Sequence, residues 1–437
     1  MGSGQSLEKE LYLWIDAVVI NQADADEKSR QVANMMNIYE KAHHVQVWLG
    51  KAATHTDEAV QFLYRLMADT DGKDKSISDS ALDGLRDLYS RPWPTRMWIR
   101  QEVWAAKAIS IQCGSSVLPL DVFKAGVVFS QQAGDSPNEG GSDVSEASDL
   151  GIYSSPQTLE WLHKKLMIAE AQLAAISFLT QKLVGQQSPE DRAVSGLGYK
   201  AMEGDGREDI LWLLYESVNY ESTDIRDRIY ALIGMCDDPN IEIDYHKTPA
   251  EVFTFLAKHI IVRARSLGRV LEQDCKYGSQ SNIDLPSWVP DWRTLSFIRY
   301  EPQYVTTYDM NSSFDSNRPQ ALMINGFLLG KVEAVKAKKK QKPDMLVHLD
   351  WTRIHKKLKG SNQFPGFPAK LPRGDTITFG YTRREIKPGD NLIAACGSDE
   401  FLLLRSSPKH EEETYEFVTS DLMSRDKRKD IRASLLK

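Results

Sequence analysis

The stretch LYLWIDAVVINQADADEKSRQVANMMNIYEKAHHVQVWLG, residues 11–50, decides the fold of the N-terminal part of the chain. Residues 11–20 are nearly all apolar and rich in β-formers, which predicts a strand covered on both faces. Asp24 and Asp26 offer N-cap oxygens, and apolar residues then recur at helical spacing: Val32, Met35, Met36, Tyr39 and Ala42. Val45–Gly50 is a second short strand. This succession predicts a βαβ unit whose two strands are parallel and adjacent or nearly so.

The pattern continues outward from this unit. Helices are predicted at residues 56–68, 80–89 and 99–107, and a further strand at 108–112. Helices that alternate with parallel strands cover both faces of a sheet. The sequence therefore predicts a three-layer α/β domain at residues 1–130.

The composition changes abruptly after this domain. Residues 131–158 are rich in Gly, Ser and Asp and predict a flexible, poorly packed linker. Residues 159–285 carry amphipathic patterns, including 161–182, 208–220, 227–235 and 249–265, and predict a helical region. Short β-like runs between turn residues dominate 286–437 and predict a β-rich C-terminal region.

Composition and charge exclude several classes of protein. The 437 residues carry 54 basic and 61 acidic side chains, a net charge of −7, so duplex DNA binding through bulk charge is not expected. We expect no membrane span and no secretory signal. The four cysteines lie far apart, without zinc spacing, so we expect no metal and a cytoplasmic location. A basic run at residues 336–342 offers a nuclear location as an alternative, and a solvated loop as another.

A second informative block is RPWPTRMWIRQEVWAA, residues 91–106. Together with residues 11–50, it resembles the fungal heterokaryon-incompatibility (HET) domain, whose pattern runs L-W-I-D-A, I-N-Q, E-K, Q-V, I-Y and W-L-G and then R-x-W-x-x-R-x-W-x-x-Q-E-V. Later pieces, such as TDIRDRIYALIGM, LPSWVPDW and IKPGDNLIAACG, are similar to long HET proteins. The resemblance therefore extends over most of the chain.

This resemblance implies a function in non-self recognition and programmed cell death signalling, with protein partners and a homo-oligomer as expected assemblies. HET domains are distantly similar to TIR domains, which implies a TIR-like, flavodoxin-like parallel sheet and NAD as a substrate. HET domains begin with an A-L-S-Y-x-W-G strand that this chain does not contain, so the sheet is expected to lack its first strand. The alternative is a non-catalytic interaction module with an incomplete HET fold.

The resemblance also nominates site residues. Trp98 and Glu102 reproduce the W-x-x-x-E spacing of the TIR catalytic glutamate, so Glu102 is a candidate catalytic residue, whereas on residues alone it fits a helix-surface glutamate in one salt bridge. If Glu102 is buried against a tryptophan wall, its pKa should be raised unless Arg96 or Arg100 folds back onto it.

Asp16 is the second catalytic candidate because a charge within an apolar strand is costly unless it serves a pocket or pairs with a cation. It is either a pocket acid or a structural acid paired with an arginine. Trp14, Asn21 and Trp98 are candidates for contacting the bound nucleotide.

Overall fold

The computed structural model describes three parts of the chain. They are residues 12–126 without 69–76 and 124; residues 209–295 without 219, 237–239, 272, 274 and 279–280; and the segments 313–314, 321–337 without 325, 345–349, 376–379, 386–395, 398, 401–407 and 415–420. The chain divides into two compact units, Met1–His246 and Lys247–Lys437. The predicted linker and the predicted helix at 161–182 lie outside the described residues, and the predicted domain boundaries stay a prediction.

The first unit contains most of the helices. They are α1 (Asp16–Val19), α2 (Ala25–Lys41), α3 (Thr56–Ala68), α4 (Asp79–Tyr89), α5 (Ile99–Ala105), α6 (Ile210–Glu216) and α7 (Asp227–Ile233). Helix α2 begins where the sequence predicts, because the Asp24 side chain accepts a hydrogen bond of 3.0 Å from the backbone N–H of Glu27. Its buried residues are Val32, Met35 and Met36, which confirms the predicted helix and its apolar face.

A three-stranded sheet accompanies these helices. Strands β1 (Val45–Gly50) and β2 (Ile109–Cys113) are parallel, and β3 (Ser116–Pro119) pairs with β2 in the antiparallel sense. Two of the predicted strands are therefore confirmed. Burial alternates along β1, with Gln46 and Trp48 exposed, so β1 buries one face only and the predicted cover on both faces is not found at this strand.

The prediction of a strand at residues 11–20 is wrong. Residues 12–15 have no regular structure, and Asp16–Val19 is a single helical turn in which the N–H of Ile20 donates to the carbonyl of Asp16 at 3.1 Å. Tyr12 is 85% exposed and Val18 is 77% exposed. A short apolar run cannot by itself specify a strand, because a strand also needs a ladder partner, and β1 pairs with β2 among the described residues.

Residues 209–246 pack onto the first 126 residues within this unit. The backbone of Met97 donates to the carbonyl of Glu221 at 2.8 Å, and the N–H of Glu221 donates to Thr95 at 2.6 Å. At the end of α7, a Cβ on Gly234 would lie 2.8 Å from the Cβ of Met36, so glycine lets α7 approach α2 closely. These contacts fix the start of α5 between two distant parts of the sequence.

The second unit begins with α8 (Pro249–Ala264) and α9 (Gly268–Leu271). A capping box between Thr248 and Glu251 starts α8, as the sequence pattern predicts for a helix at this position. The strands are β4 (Ser313–Phe314), β5 (Leu322–Met323), β6 (Gly326–Ala337), β7 (Met345–Leu349), β8 (Thr376–Phe379), β9 (Asn391–Ala395), β10 (Phe401–Ser406) and β11 (Tyr415–Ser420). Six of them form an antiparallel sheet in the order β11-β10-β9-β6-β7-β8, so the structure as a whole is mixed α/β with a β-rich C-terminal part.

Candidate functional site

Glu102 is buried in the first unit. It lies in the first turn of α5, its exposed fraction is 8%, and Trp93 donates an indole N–H to its Oε2 at 3.2 Å. Trp93 is itself buried in the 3₁₀ turn Trp93–Thr95 that precedes α5. The alternative of a helix-surface glutamate in one salt bridge is therefore wrong.

Three further side chains, Asp16, Tyr39 and Arg96, interact electrostatically with this carboxylate, and Trp14 packs against one of them. Nη2 of Arg96 lies 3.8 Å from Oδ2 of Asp16, so Asp16 does pair with an arginine. The ring of Trp14 meets that of Tyr39 edge-on, with centroids 5.7 Å apart. We call Trp14, Asp16, Tyr39, Trp93, Arg96 and Glu102 the Glu102 cluster.

Electrostatics link the members of this cluster. The pKa of Glu102 is raised above 4.5, chiefly because burial disfavours its charged form; the bond from Trp93 and the charge of Arg96 oppose the rise, and Asp16 adds to it. Burial, followed by the charges of Glu102 and Asp16, raises the pKa of Tyr39 well above its usual value. Tyr39 is therefore a neutral phenol, and Glu102 is an acid that takes up a proton more readily than an exposed one.

The cluster offers a definite set of chemical groups. Trp93 occupies Oε2 of Glu102, and no donor from the described residues reaches Oε1. Asp16 supplies a second carboxylate, Arg96 a half-exposed cation, and Trp14 an aromatic ring. Carboxylates, a cation and an aromatic ring are groups that can serve acid–base or electrostatic chemistry on an organic ligand. Within the described residues there is no grouping of His, Cys, Asp and Glu that suits a metal ion.

The structure places two of the predicted ligand-contacting residues elsewhere. Trp98 donates its indole N–H to Oδ2 of Asp227 at 3.0 Å. Asn21 is exposed and shapes the turn before α2, where its Oδ1 accepts from the backbone of Ala23 at 3.1 Å. Of the five predicted site residues, Trp14, Asp16 and Glu102 thus share one cluster, and their roles stay a prediction.

Trp98 leads to a second buried acid. Asp227, at the start of α7, is 7% exposed and accepts from Trp98 at Oδ2 and from the hydroxyl of Tyr245 at Oδ1, at 2.5 Å. Lys28 lies over the Tyr245 ring, with Nζ 4.0 Å from the centroid. Burial raises the pKa of Asp227, whereas the two hydrogen bonds oppose the rise. We call Lys28, Trp98, Asp227 and Tyr245 the Asp227 cluster.

Sequence reasoning missed the parts that Tyr39 and Trp93 play. Tyr39 was predicted only as one more apolar position of α2. One signal could have marked it, because Tyr39 follows Met35 and Met36 by one turn and a tyrosine on an apolar face brings a hydroxyl that needs a partner. Trp93 lies nine residues before Glu102, outside helical spacing, so only the fold of the 3₁₀ turn brings the two together.

Comparisons with known proteins show what the chain is similar to. Residues 4–102 match the family described as "Heterokaryon incompatibility protein (HET)", and this range includes every member of the Glu102 cluster. A curated relative, "Heterokaryon incompatibility protein 6, OR allele" of Neurospora crassa, is 25% identical over 375 residues. The match covers 74% of this chain and 51% of that protein, so the chain spans about half the length of this relative. No solved structure matches.

The family match and the relative point to the same kind of protein. No described helix is long and apolar enough to cross a membrane. Residues 4–102 therefore match the HET domain, and the chain is similar to a heterokaryon incompatibility protein.

Proposed function

We propose that this protein acts in fungal incompatibility, and that it signals non-self recognition and cell death through TIR-like hydrolysis of NAD at Glu102. The relative named as a heterokaryon incompatibility protein supports the first part of the proposal. The parallel pairing of β1 with β2 across a helical crossover is compatible with a TIR-like sheet. The three described free cysteines fit a reducing location such as the cytoplasm.

One observation carries the catalytic part. Among the described residues, Trp93 is the hydrogen-bond donor to the buried carboxylate of Glu102, and the charges of Asp16 and Arg96 influence the pKa of that carboxylate. Holding an ionised carboxylate in a buried position costs folding free energy, because burial disfavours the charged form. Such a cost is typical of groups that are kept for chemistry.

The proposed reaction uses this carboxylate directly. The bond between C1′ of the ribose and the nicotinamide nitrogen breaks, and both electrons leave with the nicotinamide, which becomes neutral. Ionised Glu102 stabilises the positive charge that develops on the ribose, as a glycosidase carboxylate does. Water then adds to C1′, and its proton passes to Glu102, whose raised pKa favours this transfer.

The test is release of nicotinamide from NAD by the purified full chain. Glu102→Gln keeps an acceptor for the Trp93 indole but removes the charge, so turnover should fall by at least about 100-fold while the protein stays folded. Asp83→Asn is the matched control, because Asp83 lies on α4 in a surface pair with Arg86. Absence of nicotinamide release from the unmodified chain, or equal rates in both variants, contradicts catalysis at Glu102.

An exposed apolar segment favours the second candidate function, a non-catalytic interaction module. Tyr12 is 85%, Leu13 72% and Val18 77% exposed, and side chains of this kind on a surface mark sites of protein association. Under this alternative, Leu13→Ser with Val18→Ser abolishes self-association or partner binding in light-scattering measurements, and no variant turns over NAD. Turnover that depends on Glu102 would rule the alternative out.

A further inference from the structure

Arg96 is loosely held at the exposed side of the Glu102 cluster. Its side chain is 49% exposed, that of Asp16 is 33% exposed, and their closest atoms are 3.8 Å apart. This distance exceeds hydrogen-bonding range, and an exposed pair of this kind contributes roughly 0–1 kcal/mol. Arg91 differs, because it binds Asp87 at 2.5 Å and two backbone carbonyls. Arg96 is thus a cation beside the site whose ion pair is cheap to break.

The backbone of Arg96, in contrast, is fixed. Its N–H donates to the carbonyl of Trp93 at 3.2 Å, and it forms a parallel bridge with Glu221. A guanidinium on a fixed backbone beside two carboxylates can turn to a new anion without any change in the fold. Planar guanidinium groups match phosphate oxygens in bidentate geometry.

We propose that Arg96 is the anion-binding residue of the Glu102 cluster and exchanges Asp16 for the diphosphate of a bound nucleotide. The exchange leaves the carboxylate of Asp16 available to the rest of the ligand. This inference rests on the proposed function in one respect, namely that the same ligand extends to Glu102.

Competition between Asp16 and the ligand predicts that removing the two charges changes ligand affinity in opposite directions. If the Arg96–Asp16 pair were merely structural, removing either charge would change ligand affinity in the same direction. If Asp16 competes with the ligand for Arg96, removing Arg96 weakens binding and removing the charge of Asp16 strengthens it. Opposite effects from the two partners of one ion pair are not expected from damage to the fold.

The experiment is calorimetric titration of the full chain with ADP-ribose and, separately, with inorganic pyrophosphate. We expect Arg96→Gln to weaken ADP-ribose binding by at least about 10-fold, the usual effect of losing a charge-assisted hydrogen bond. Asp16→Asn should tighten it by about 2- to 5-fold. Arg86→Gln is the matched control, since Arg86 is 34% exposed and pairs with Asp83 on α4, and it should leave affinity unchanged.

Each outcome decides the question. Binding of ADP-ribose, with or without binding of pyrophosphate, supports the proposal if Arg96→Gln weakens it as expected. Binding of pyrophosphate but not of ADP-ribose assigns the site to free diphosphate and overturns the nucleotide as its ligand. Equal affinity in Arg96→Gln and the unmodified chain, weaker binding in Asp16→Asn, or no binding of either probe overturns the proposal. Arg96-dependent binding without nicotinamide release contradicts only the proposed hydrolysis. Nicotinamide release with a KM that Arg96→Gln leaves unchanged contradicts only the anion site.

Discussion

Glu102 and Asp227, two buried acids of the first unit, share one kind of hydrogen-bond donor and differ in the second. Each accepts a hydrogen bond from a tryptophan indole, Glu102 from Trp93 at 3.2 Å and Asp227 from Trp98 at 3.0 Å. Tyr245 then fills the second oxygen of Asp227, whereas no described donor fills that of Glu102. The comparison teaches that burial alone does not distinguish the two acids, whereas the number of hydrogen-bond donors to each carboxylate does.

The two clusters also differ in the cations that face them. Lys28 lies over the Tyr245 ring and 3.7 Å from Asp224, so the Asp227 cluster is enclosed by interactions within the protein. Arg96 has only the distant Asp16 as its ion-pair partner among the described residues. The Asp227 cluster is therefore a structural lock between α5 and α7, and the Glu102 cluster is the one that the proposed ligand would occupy.

Removing the carboxylate of Asp227 should have the largest effect on the free energy of unfolding. Asp227→Ala leaves the indole of Trp98 and the hydroxyl of Tyr245 as buried donors without their acceptor, which should lower the free energy of unfolding by about 3 kcal/mol. Urea denaturation measures the change. Asp83→Ala, at an exposed pair, should cost less than about 0.5 kcal/mol. A similarly small loss of stability in Asp227→Ala would contradict the structural role of the Asp227 cluster.

The two tryptophans allow a matched test. Trp98→Phe and Trp93→Phe each lose one indole donor, and each should cost about 1 kcal/mol in urea denaturation. In the unmodified chain, the hydrogen bond from Trp93 lowers the pKa of Glu102, so its loss should raise that pKa. Only Trp93→Phe should therefore also shift the low-pH side of the pH profile of NAD turnover to higher pH. If Trp98→Phe shifts the profile equally, the clusters are not independent.

The smallest expected effect concerns pH and stability. Since burial raises the pKa of Glu102 above 4.5 in the folded state, the folded protein holds its proton more tightly than the unfolded chain, and stability falls as pH rises through that folded-state pKa. Glu102→Gln removes this loss, so its stability relative to the unmodified chain should increase above pH 4.5. Thermal denaturation between pH 4 and 8 checks this sign. A relative stability that stays flat would mean that Glu102 is not desolvated.

The sequence predicted elements whose signals are local. The N-cap of Asp24, the apolar face of α2 and the alternation in β1 are all decided by residues within a few positions of one another. The resemblance in residues 11–50 and 91–106 pointed to the HET domain that residues 4–102 match, and it nominated Glu102, whereas the cost of a charge within an apolar run nominated Asp16. The predicted strand at 11–20 failed because the run supplies apolar side chains but no ladder partner.

By itself, the sequence determined the resemblance to the HET domain, the mixed α/β class and the residues that carry charge at the candidate site, because these follow from residue types and short spacings. Only the tertiary structure decided which partners those residues have. It joined Trp93 to Glu102 and Trp98 to Asp227, a residue 129 positions away, and it packed residues 209–246 against α2 and α5. Periodicity describes one element at a time, whereas the hydrogen bonds of a buried carboxylate are set by whichever donors other elements bring to it.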